Sequence, residues 1–407
     1  MTRTVFVGGQ VFDGTGAAPA VADVAVQDGR IVDVGPGLDG DEAVDCAGRA
    51  VLPGLFDCHV HLTVSALDPL GWVTAPFSLE FYEAAGNLER TLAAGITTVR
   101  DAGGADLGIR TAQERGLLRG PRMHISIRLI SQTGGHGDAW EPSGCVLPIF
   151  PVHPGRPDGI ADGPDEARRK SRELIRAGAD VIKIATTGGV FSPRDDPRHA
   201  HFRDAEIATI VEEATAAGIG VMAHAQGNAG IKAAVRNGVR SVEHGFFLDD
   251  EAIAMMLDRG TWLVPTLSAT EGVQAAIAAG AQLHPQALAK EKIVAAAAAD
   301  SARAAIAAGV KIAMGTDAPV HPHGRNLREL ELLVEHGMPA AAALHAATGS
   351  AAALLGVAET VGTLQPGKIA DIVIAAGDPL DLTGLADRIM AVYQAGVRVA
   401  APALAGK

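Results

Sequence analysis

VLPGLFDCHVHL, residues 51–62, is an apolar run that carries two histidines close to its end. A short apolar run bounded by turn residues predicts a buried β-strand. His59 and His61 stand two positions apart, and such residues point to the same face of a strand. The stretch therefore predicts a strand that holds two imidazoles side by side.

Seven further runs of this kind follow, and helical segments separate most of them. The runs are ITTVRDAGG (96–104), MHISIRLIS (123–131), DVIKIATTGG (180–189), GVMAHAQG (220–227), SVEHGF (241–246), WLVPTL (262–267) and KIAMGTDAP (311–319). The helical segments include DEARRKSRELIRAGA (165–179), DAEIATIVEEATAAG (204–218), EAIAMMLDRG (251–260) and KEKIVAAAAADSARAAIAAG (290–309). Eight strands alternating with helices predict an α/β fold, a (β/α)8 barrel of the TIM type. The Pro-, Gly- and Asp-rich stretch 140–164 is predicted to be a long loop over the barrel mouth.

The two ends of the chain differ from this middle part. They carry short β-type runs broken by Gly and Asp-Gly, namely TVFVGGQVF (4–12), VADVAVQDGRIVDVG (21–35), EAVDCAGRAVLPG (42–54), LQPGKIADIVIAAGDP (364–379) and IMAVYQAGVRVAAP (389–402). We expect both ends to pair into one small β-sandwich domain. The predicted boundaries are 1–56 and 361–407 for the two parts of the sandwich and 57–360 for the barrel.

The acidic composition argues against two classes of partner. The chain has 407 residues, a formal net charge of −13 and a sequence pI near 5.5. Nucleic acids and anionic membranes are bound through clustered Lys and Arg, so neither is an expected partner. The three cysteines are too few for a disulfide framework or a thiolate zinc site. No signal-like or membrane-spanning apolar run is apparent, and a cytoplasmic location is expected.

Six polar residues fall at or near the C-terminal ends of predicted strands 1, 4, 5, 6 and 8. They are His59, His61, Lys183, His224, His244 and Asp317. That end of a TIM-type barrel carries the active site. Any one of them could be a satisfied core residue or a helix cap. Their joint placement predicts a metal site, and Lys183 inside VIKIA would be costly to bury as an unpaired ammonium.

Several of these motifs together resemble the metal-dependent amidohydrolase superfamily. They are HVH after PGLFDC, the lysine of VIKIATTGG, HAQG, EHG, GTDA and the tail LQPGKIADIVI. The similarity covers nearly the whole chain and points to the imidazolonepropionase-related branch, which includes dipeptidases that remove Pro, or Arg and Lys, from the C-terminus of short peptides. SQTGGHGD (131–138) is a further motif similar to that branch. The resemblance implies a binuclear, metal-dependent hydrolase of carbon–nitrogen bonds.

The resemblance also implies a role for each ligand. His59, His61 and Asp317 would bind the more buried ion, and His224 and His244 the more exposed one. Lys183, carboxylated on its amine, would bridge the two. Imidazole and carboxylate ligands suit zinc, with manganese or iron as alternatives. A hydroxide that bridges the ions would attack the carbonyl, and Asp317 would carry its proton to the leaving nitrogen.

Other residues near the rim are expected to have lesser roles. His136, after strand 3, is expected to hydrogen-bond the substrate carbonyl, the alternative being a histidine that fixes its own loop. Gln226 stands where dipeptidase relatives often carry a Tyr or His that contacts the substrate carboxylate. Arg100 and Asp101 are expected to form an ion pair at the rim.

Three functions stay open. The first is a dipeptidase or carboxypeptidase-like amidohydrolase. The second keeps the metals but takes an N-acyl amino acid, an aryl amide of the ochratoxin type or a cyclic amide. The third is a non-enzymatic barrel that serves as a binding protein. The expected partner is a small amide or short peptide, and a homo-oligomer is expected.

Overall fold

The computed structural model describes residues 2–192, 194–278, 280 and 285–400. Its strands are β1 (Arg3–Val11), β2 (Ala20–Gln27), β3 (Arg30–Gly35), β4 (Glu42–Asp45), β5 (Arg49–Pro53), β6 (Leu55–Val60), β7 (Ile96–Asp101), β8 (Arg122–Ile125), β9 (Leu129–Ile130), β10 (Val181–Ala185), β11 (Gly220–Ala225), β12 (Ser241–His244), β13 (Trp262–Val264), β14 (Ile372–Ala376), β15 (Ile389–Gln394) and β16 (Val397–Ala400). They form three sheets, and two of these are wholly parallel.

The helices lie between and after the parallel strands. They are α1 (Pro69–Thr74), α2 (Leu79–Ala93), α3 (Leu107–Glu114), α4 (Gly163–Arg176), α5 (Asp204–Ala216), α6 (Asn228–Arg236), α7 (Asp250–Arg259), α8 (Leu267–Ala278), α9 (Pro285–Ala308), α10 (Arg328–Glu335), α11 (Ala340–Ala346), α12 (Gly349–Leu355) and α13 (Leu385–Arg388). Local sequence sets several of their ends. The Asp249 carboxylate accepts the Ala252 N–H at the start of α7, and Gly260 ends that helix with a left-handed φ of 64°. No helix among the described residues is long and apolar enough to cross a membrane.

The eight-stranded sheet is built from both chain ends, as predicted. Its order is β16-β15-β14-β5-β1-β2-β3, with β4 also paired to β1. β14 runs antiparallel to β5 and joins the C-terminal part of the sheet to the N-terminal part. Residues 401–407 of the predicted sandwich lie outside the described residues. The boundaries at 56/57 and 360/361 stay predictions.

The parallel strands form a TIM-type α/β barrel, also as predicted. One sheet has the order β13-β12-β11-β10-β9 and the other the order β6-β7-β8. All residues of β6, β7, β10 and β12 are buried. These strands are buried on both faces, which is why they appear in the sequence as nearly continuous apolar runs.

The third run is not the single strand that its sequence predicts. It divides into β8, which pairs with β7, and β9, which pairs with β10. Between them Ile127 has a φ of 66°, and the Arg128 N–H donates to the Ser126 carbonyl at 2.7 Å. This tight turn interrupts the ladder of hydrogen bonds, so the two parallel sheets do not form one continuous ladder.

The eighth run also lacks a regular strand. Residues 311–318 join the barrel through single parallel bridges, Leu263 to Ile312 on one side and Val60 to Ala318 on the other. The Asp317 N–H donates to the His59 carbonyl at 2.7 Å. This irregular segment therefore sets the Asp317 carboxylate beside the histidines of β6.

Candidate active site

A cavity of about 580 Å³ lies at the C-terminal ends of the barrel strands. Every site residue predicted from the sequence lines it, namely His59, His61, His136, Lys183, His224, Gln226, His244 and Asp317. The cavity volume falls within the range typical of small-molecule sites.

The polar groups at the floor of the cavity lie close together. One ligand atom each from His59, His244 and Asp317 lies within 4.8 Å of the others. Asp317 Oδ1 is 3.4 Å from His59 Nε2 and 3.2 Å from His61 Nε2. Lys183 Nζ lies 3.2 Å from His59 Nε2. Residues far apart in sequence thus share one small volume.

Hydrogen bonds fix which ring nitrogen each histidine turns toward this volume. Nδ1 of His59 is 2.7 Å from a Glu243 oxygen, and Nδ1 of His61 is 2.8 Å from the Gly103 carbonyl. In both rings Nε2 is therefore the nitrogen that faces the cluster of polar groups. Partners of this kind commonly orient metal-binding histidines.

The two histidines on β11 and β12 are oriented in the same way but with different nitrogens. His224 Nε2 is 3.0 Å from the Gly188 carbonyl, which leaves Nδ1 free. His244 Nδ1 is 2.7 Å from Thr266 Oγ1, which leaves Nε2 free. Their ring centroids lie 4.6 Å apart.

Glu243, which sequence reasoning missed, connects His59 to a buried arginine. Both oxygens of Glu243 accept from Arg100 at 2.8 and 2.9 Å, and Ser241 Oγ donates to it at 2.5 Å. The predicted Arg100–Asp101 ion pair is therefore wrong. Asp101 instead accepts backbone N–H groups, including that of Leu62 at 2.8 Å. The sequence did contain a signal for Glu243, because it stands inside a short buried run. A buried carboxylate needs a partner, as does the buried ammonium of Lys183, because burying an unpaired charge is costly.

Burial lowers the pKa of three imidazoles of the site, those of His59 and His224 well below the usual value and that of His244 to about 4. For His61, burial also acts to lower the pKa, but Asp317 outweighs it and the pKa is raised. For Asp317, burial acts to raise the pKa, but His59, His61 and His244 outweigh it and lower the pKa. Neutral imidazole and ionised carboxylate are the forms that bind metal.

This donor set fits divalent metal ions. Imidazole nitrogens and one carboxylate converge with free lone pairs, a set that suits zinc. Burial lowers the pKa of Lys183 to about 8, although Glu243 and Asp317 oppose the shift. The amine thus lies in a place that disfavours its ammonium form.

His136 and Gln226 both reach the cavity wall. His136 stacks on His224 with ring centroids 4.1 Å apart and planes at 17°. Gln226 Oε1 is buried and has no hydrogen-bond partner among the described residues. An unsatisfied amide oxygen beside a cavity is a group that a ligand can complete.

Glu291 on α9 is a second residue that sequence reasoning missed. It is 4% exposed, lines the cavity, and its Oε1 has no partner within the described parts of the chain. It lies on the buried stripe of α9 with Ala287, Val294 and Ala298. These residues stand four, three and four positions apart, which places them on one face of a helix. This spacing was the sequence signal that Glu291 is buried, because a charged residue on an apolar helical face packs with its neighbours.

The rest of the wall is largely apolar and comes in part from the long loop predicted over the mouth. Phe150 of that loop stacks on His61 with centroids 5.4 Å apart. Further apolar lining residues are Leu67, Trp72, Leu129, Leu147, Ile149, Val190, Phe191, Phe246, Val273 and Val320.

The sequence profile of the Amidohydrolase family matches residues 50–405. The chain belongs to the amidohydrolase family. This amidohydrolase is 37% identical over 347 residues to ochratoxinase from Aspergillus niger, covering 81% of this chain and 71% of that protein. It is 26% identical over 403 residues to imidazolonepropionase from Sphingopyxis alaskensis, covering 88% and 87%. The crystal structure of a prolidase complexed with N-methylphosphonate-L-proline superposes with a TM-score of 0.90 at 35% identity, covering 98% of this chain and 100% of that one.

These similarities agree with the geometry of the cavity. The amidohydrolase is a hydrolase of carbon–nitrogen bonds from the imidazolonepropionase-like and dipeptidase branch, as its sequence motifs predicted. The comparisons therefore establish the fold and the class of reaction, which is hydrolysis of a carbon–nitrogen bond.

Proposed function

We propose that this amidohydrolase hydrolyses the amide or peptide bond of a small substrate at a binuclear metal site, as a dipeptidase or carboxypeptidase-like enzyme. The observation that carries the proposal is the convergence of His59, His244 and Asp317 within 4.8 Å, with further imidazoles and Lys183 beside them. A non-enzymatic barrel would have no need for this set of converging imidazole and carboxylate donors.

The chain's own residues would share the work as follows. His59, His61 and Asp317 would hold one divalent ion, and His224 and His244 would hold a second. Carboxylation of Lys183 would turn a buried cation into an anionic ligand, which removes the penalty of burying an ammonium. When bound, the ions acidify water and polarise a carbonyl.

The protein supplies proton transfer and positioning. Asp317 is kept ionised by its histidine neighbours, so it can accept a proton from the attacking water and deliver it to the leaving nitrogen. Gln226, with its unpartnered oxygen, is suited to hydrogen-bond a polar group of the substrate. The apolar walls exclude water from the reacting groups.

A second substrate class has its own support. The large apolar wall, with Trp72, Phe150, Phe191 and Phe246, suits an aryl or long acyl group better than a small dipeptide. The 37% identity to ochratoxinase supports the same class, an aryl amide of an amino acid. The similarity to the prolidase structure supports the dipeptide instead.

A hydrolysis panel on the zinc- or manganese-loaded protein separates the two. The panel contains Xaa-Pro, Xaa-Arg, Xaa-Lys and hydrophobic dipeptides, N-acyl amino acids and ochratoxin A. Turnover of dipeptides supports the first assignment. Inert dipeptides with rapid hydrolysis of acylated or aryl amides overturn it in favour of the second.

A pair of variants tests the metal site itself. We expect His59→Asn and His244→Asn to lose bound metal and hydrolysis together, as measured by elemental analysis and amide turnover. His336→Asn is the matched control, because this histidine hydrogen-bonds the Leu332 carbonyl of the preceding helical turn and is not among the residues that line the cavity. Full activity in a metal-free His59→Asn variant would contradict the proposal. A cytoplasmic location and a homo-oligomeric state stay predictions.

A further inference from the structure

A chain of hydrogen bonds runs from the cavity wall to α9. His136 Nδ1 lies 2.8 Å from Ser192 Oγ, and Ser192 Oγ lies 2.5 Å from Asp195 Oδ1. Asp195 Oδ1 in turn accepts from Lys290 Nζ at 2.9 Å. The side chains of Asp195 and Lys290 are only 2% and 11% exposed. This set of four side chains is called the relay below.

Counting hydrogens fixes the direction of each bond in the relay. Asp195 pairs with the Lys290 ammonium, and its other oxygen accepts the Gly189 N–H at 3.2 Å, so Asp195 acts only as an acceptor. The short contact between Ser192 and Asp195 therefore uses the one hydroxyl hydrogen of Ser192. His136 Nδ1 must then carry the hydrogen that lies between it and Ser192 Oγ.

Packing holds the imidazole in place once its hydrogen bond is made. His224 stacks on one side of the His136 ring. A Cβ on Gly189 would overlap the His136 ring, so only glycine allows this close approach of the loop. With Nδ1 bound to Ser192, Nε2 is the nitrogen left for the cavity.

We propose that Asp195, held by Lys290 and acting through the Ser192 hydroxyl, is a positioning residue that keeps a hydrogen on His136 Nδ1 and turns Nε2 toward the cavity. Nε2 is then the His136 atom that meets a polar group of the substrate or a water molecule. The arrangement of these hydrogen bonds is independent of the proposed function, and only the expected effect on kcat rests on it.

Nitrogen-15 NMR of the metal-loaded, histidine-labelled full chain tests the hydrogen on Nδ1 without any substrate. The His136 signals are assigned by their loss in His136→Asn. We expect an Nδ1 signal of the protonated type. Ser192→Ala should shift this signal toward the bare type, and Ser192→Thr, which keeps the hydroxyl, should restore it. A bare Nδ1 in the wild-type ring, or an Nδ1 signal unchanged in Ser192→Ala, overturns the proposal.

Kinetics on an amide that the enzyme turns over give a second readout. We expect Asp195→Asn to lower kcat about 10- to 100-fold with little change in KM. Asp196→Asn is the matched control, since the neighbouring Asp196 bonds Arg198 at 2.7 Å outside the relay and should leave kcat unchanged. If Asp195→Asn lowers only the melting temperature and leaves kcat and the Nδ1 signal unchanged, the role is structural and the proposal fails. The NMR experiment needs no substrate, so it tests the role of Asp195 even if the hydrolysis panel finds no substrate. Failure of this proposal can therefore be told apart from failure of the proposed function.

Discussion

At the scale of single residues, the cavity wall includes Glu291, a buried carboxylic acid that forms no ion pair with the described residues. Burial alone raises the pKa of Glu291 from 4.5 to about 7. Its neighbours include Val190, Phe246, Ala287 and Val294, a cluster of buried apolar side chains. Without a ligand, the native fold favours the protonated form of this group.

This shift gives a stability prediction with a definite sign. Between pH 4.5 and 7 the unfolded chain releases the Glu291 proton while the folded chain keeps it, so folding loses stability as pH rises. We expect Glu291→Gln to gain on the order of 1–3 kcal/mol relative to wild type between pH 5 and pH 8. Urea unfolding at both pH values measures the difference. The exposed Glu359→Gln is the control, and a pH-independent difference for Glu291→Gln would contradict the expectation.

The sequence predicted which residues converge in the cavity, but it did not predict the residues that hydrogen-bond them. His59, Lys183 and Asp317 each stand at the end of an apolar run, and parallel strands bring such ends together. The local pattern signals that Glu243 and Glu291 are buried, but it does not reveal what each of them contacts across the fold. Glu291 in particular lies in a segment, KEKIVAAAAADSARAAIAAG, whose first charges look solvent-exposed.

At the scale of elements, a fully buried arginine anchors the loop that carries Phe150. Arg156 is 0% exposed and pairs with Glu80 of α2 at 3.1 Å. It also donates to the carbonyls of Gly104 and Pro151. The loop wall of the cavity is thereby tied to α2 and to the end of β7.

Loss of this anchor should affect stability and substrate binding together. We expect Arg156→Met to lower the free energy of unfolding by about 3 kcal/mol, because Glu80 and two carbonyls lose their partner. We also expect KM to rise several-fold because Phe150 is released from His61. Arg169→Met on α4, which breaks an exposed pair with Glu173, should change stability by less than about 0.5 kcal/mol. Equal effects of the two variants in urea unfolding would refute this role for Arg156.

The elements themselves were predicted with uneven success. Strands buried on both faces were found because their sequences are nearly continuous apolar runs. The break after Ile125 was missed because the left-handed φ of Ile127 has no signature in an isoleucine. The last run, 311–319, was predicted as a strand, yet it is joined only by single bridges because it bends to set Asp317 beside His59.

At the scale of the whole molecule, bound metal should contribute to stability. The imidazoles and the Asp317 carboxylate converge only in the folded chain, so ions that bind there stabilise the native state by mass action. At a free metal concentration 1,000 times the Kd, the gain is about 4 kcal/mol.

Chelation tests this linkage. We expect the melting temperature to fall by several degrees when metal is removed with a strong chelator, and to recover on adding zinc or manganese. The double variant with His59→Asn and His244→Asn should melt at one temperature with and without chelator. An unchanged melting temperature in the wild-type protein would show that the site holds no metal under these conditions.

The overall architecture could be predicted because the sequence pattern of the two chain ends differs from that of the middle of the chain. Short β runs at the ends and alternating strands and helices in the middle are separate signals. How the sheet attaches to the barrel was not predictable. The attachment uses Arg122 and Asp371, 249 residues apart, and Gly54, where a Cβ would meet Thr97 and Asp371.

The pairing of β14 with β5 leaves one edge of β5 unpaired in the nascent chain for most of translation. Pro53 ends β5 and Ile372 begins β14, so about 320 residues must be translated before the edge of β5 gains its permanent neighbour. At ordinary rates of elongation the wait is roughly 15–60 s. During that interval an apolar strand edge is open to wrong partners. We therefore expect the soluble yield of this protein to rise when more chaperone is available during translation, as measured by co-expression.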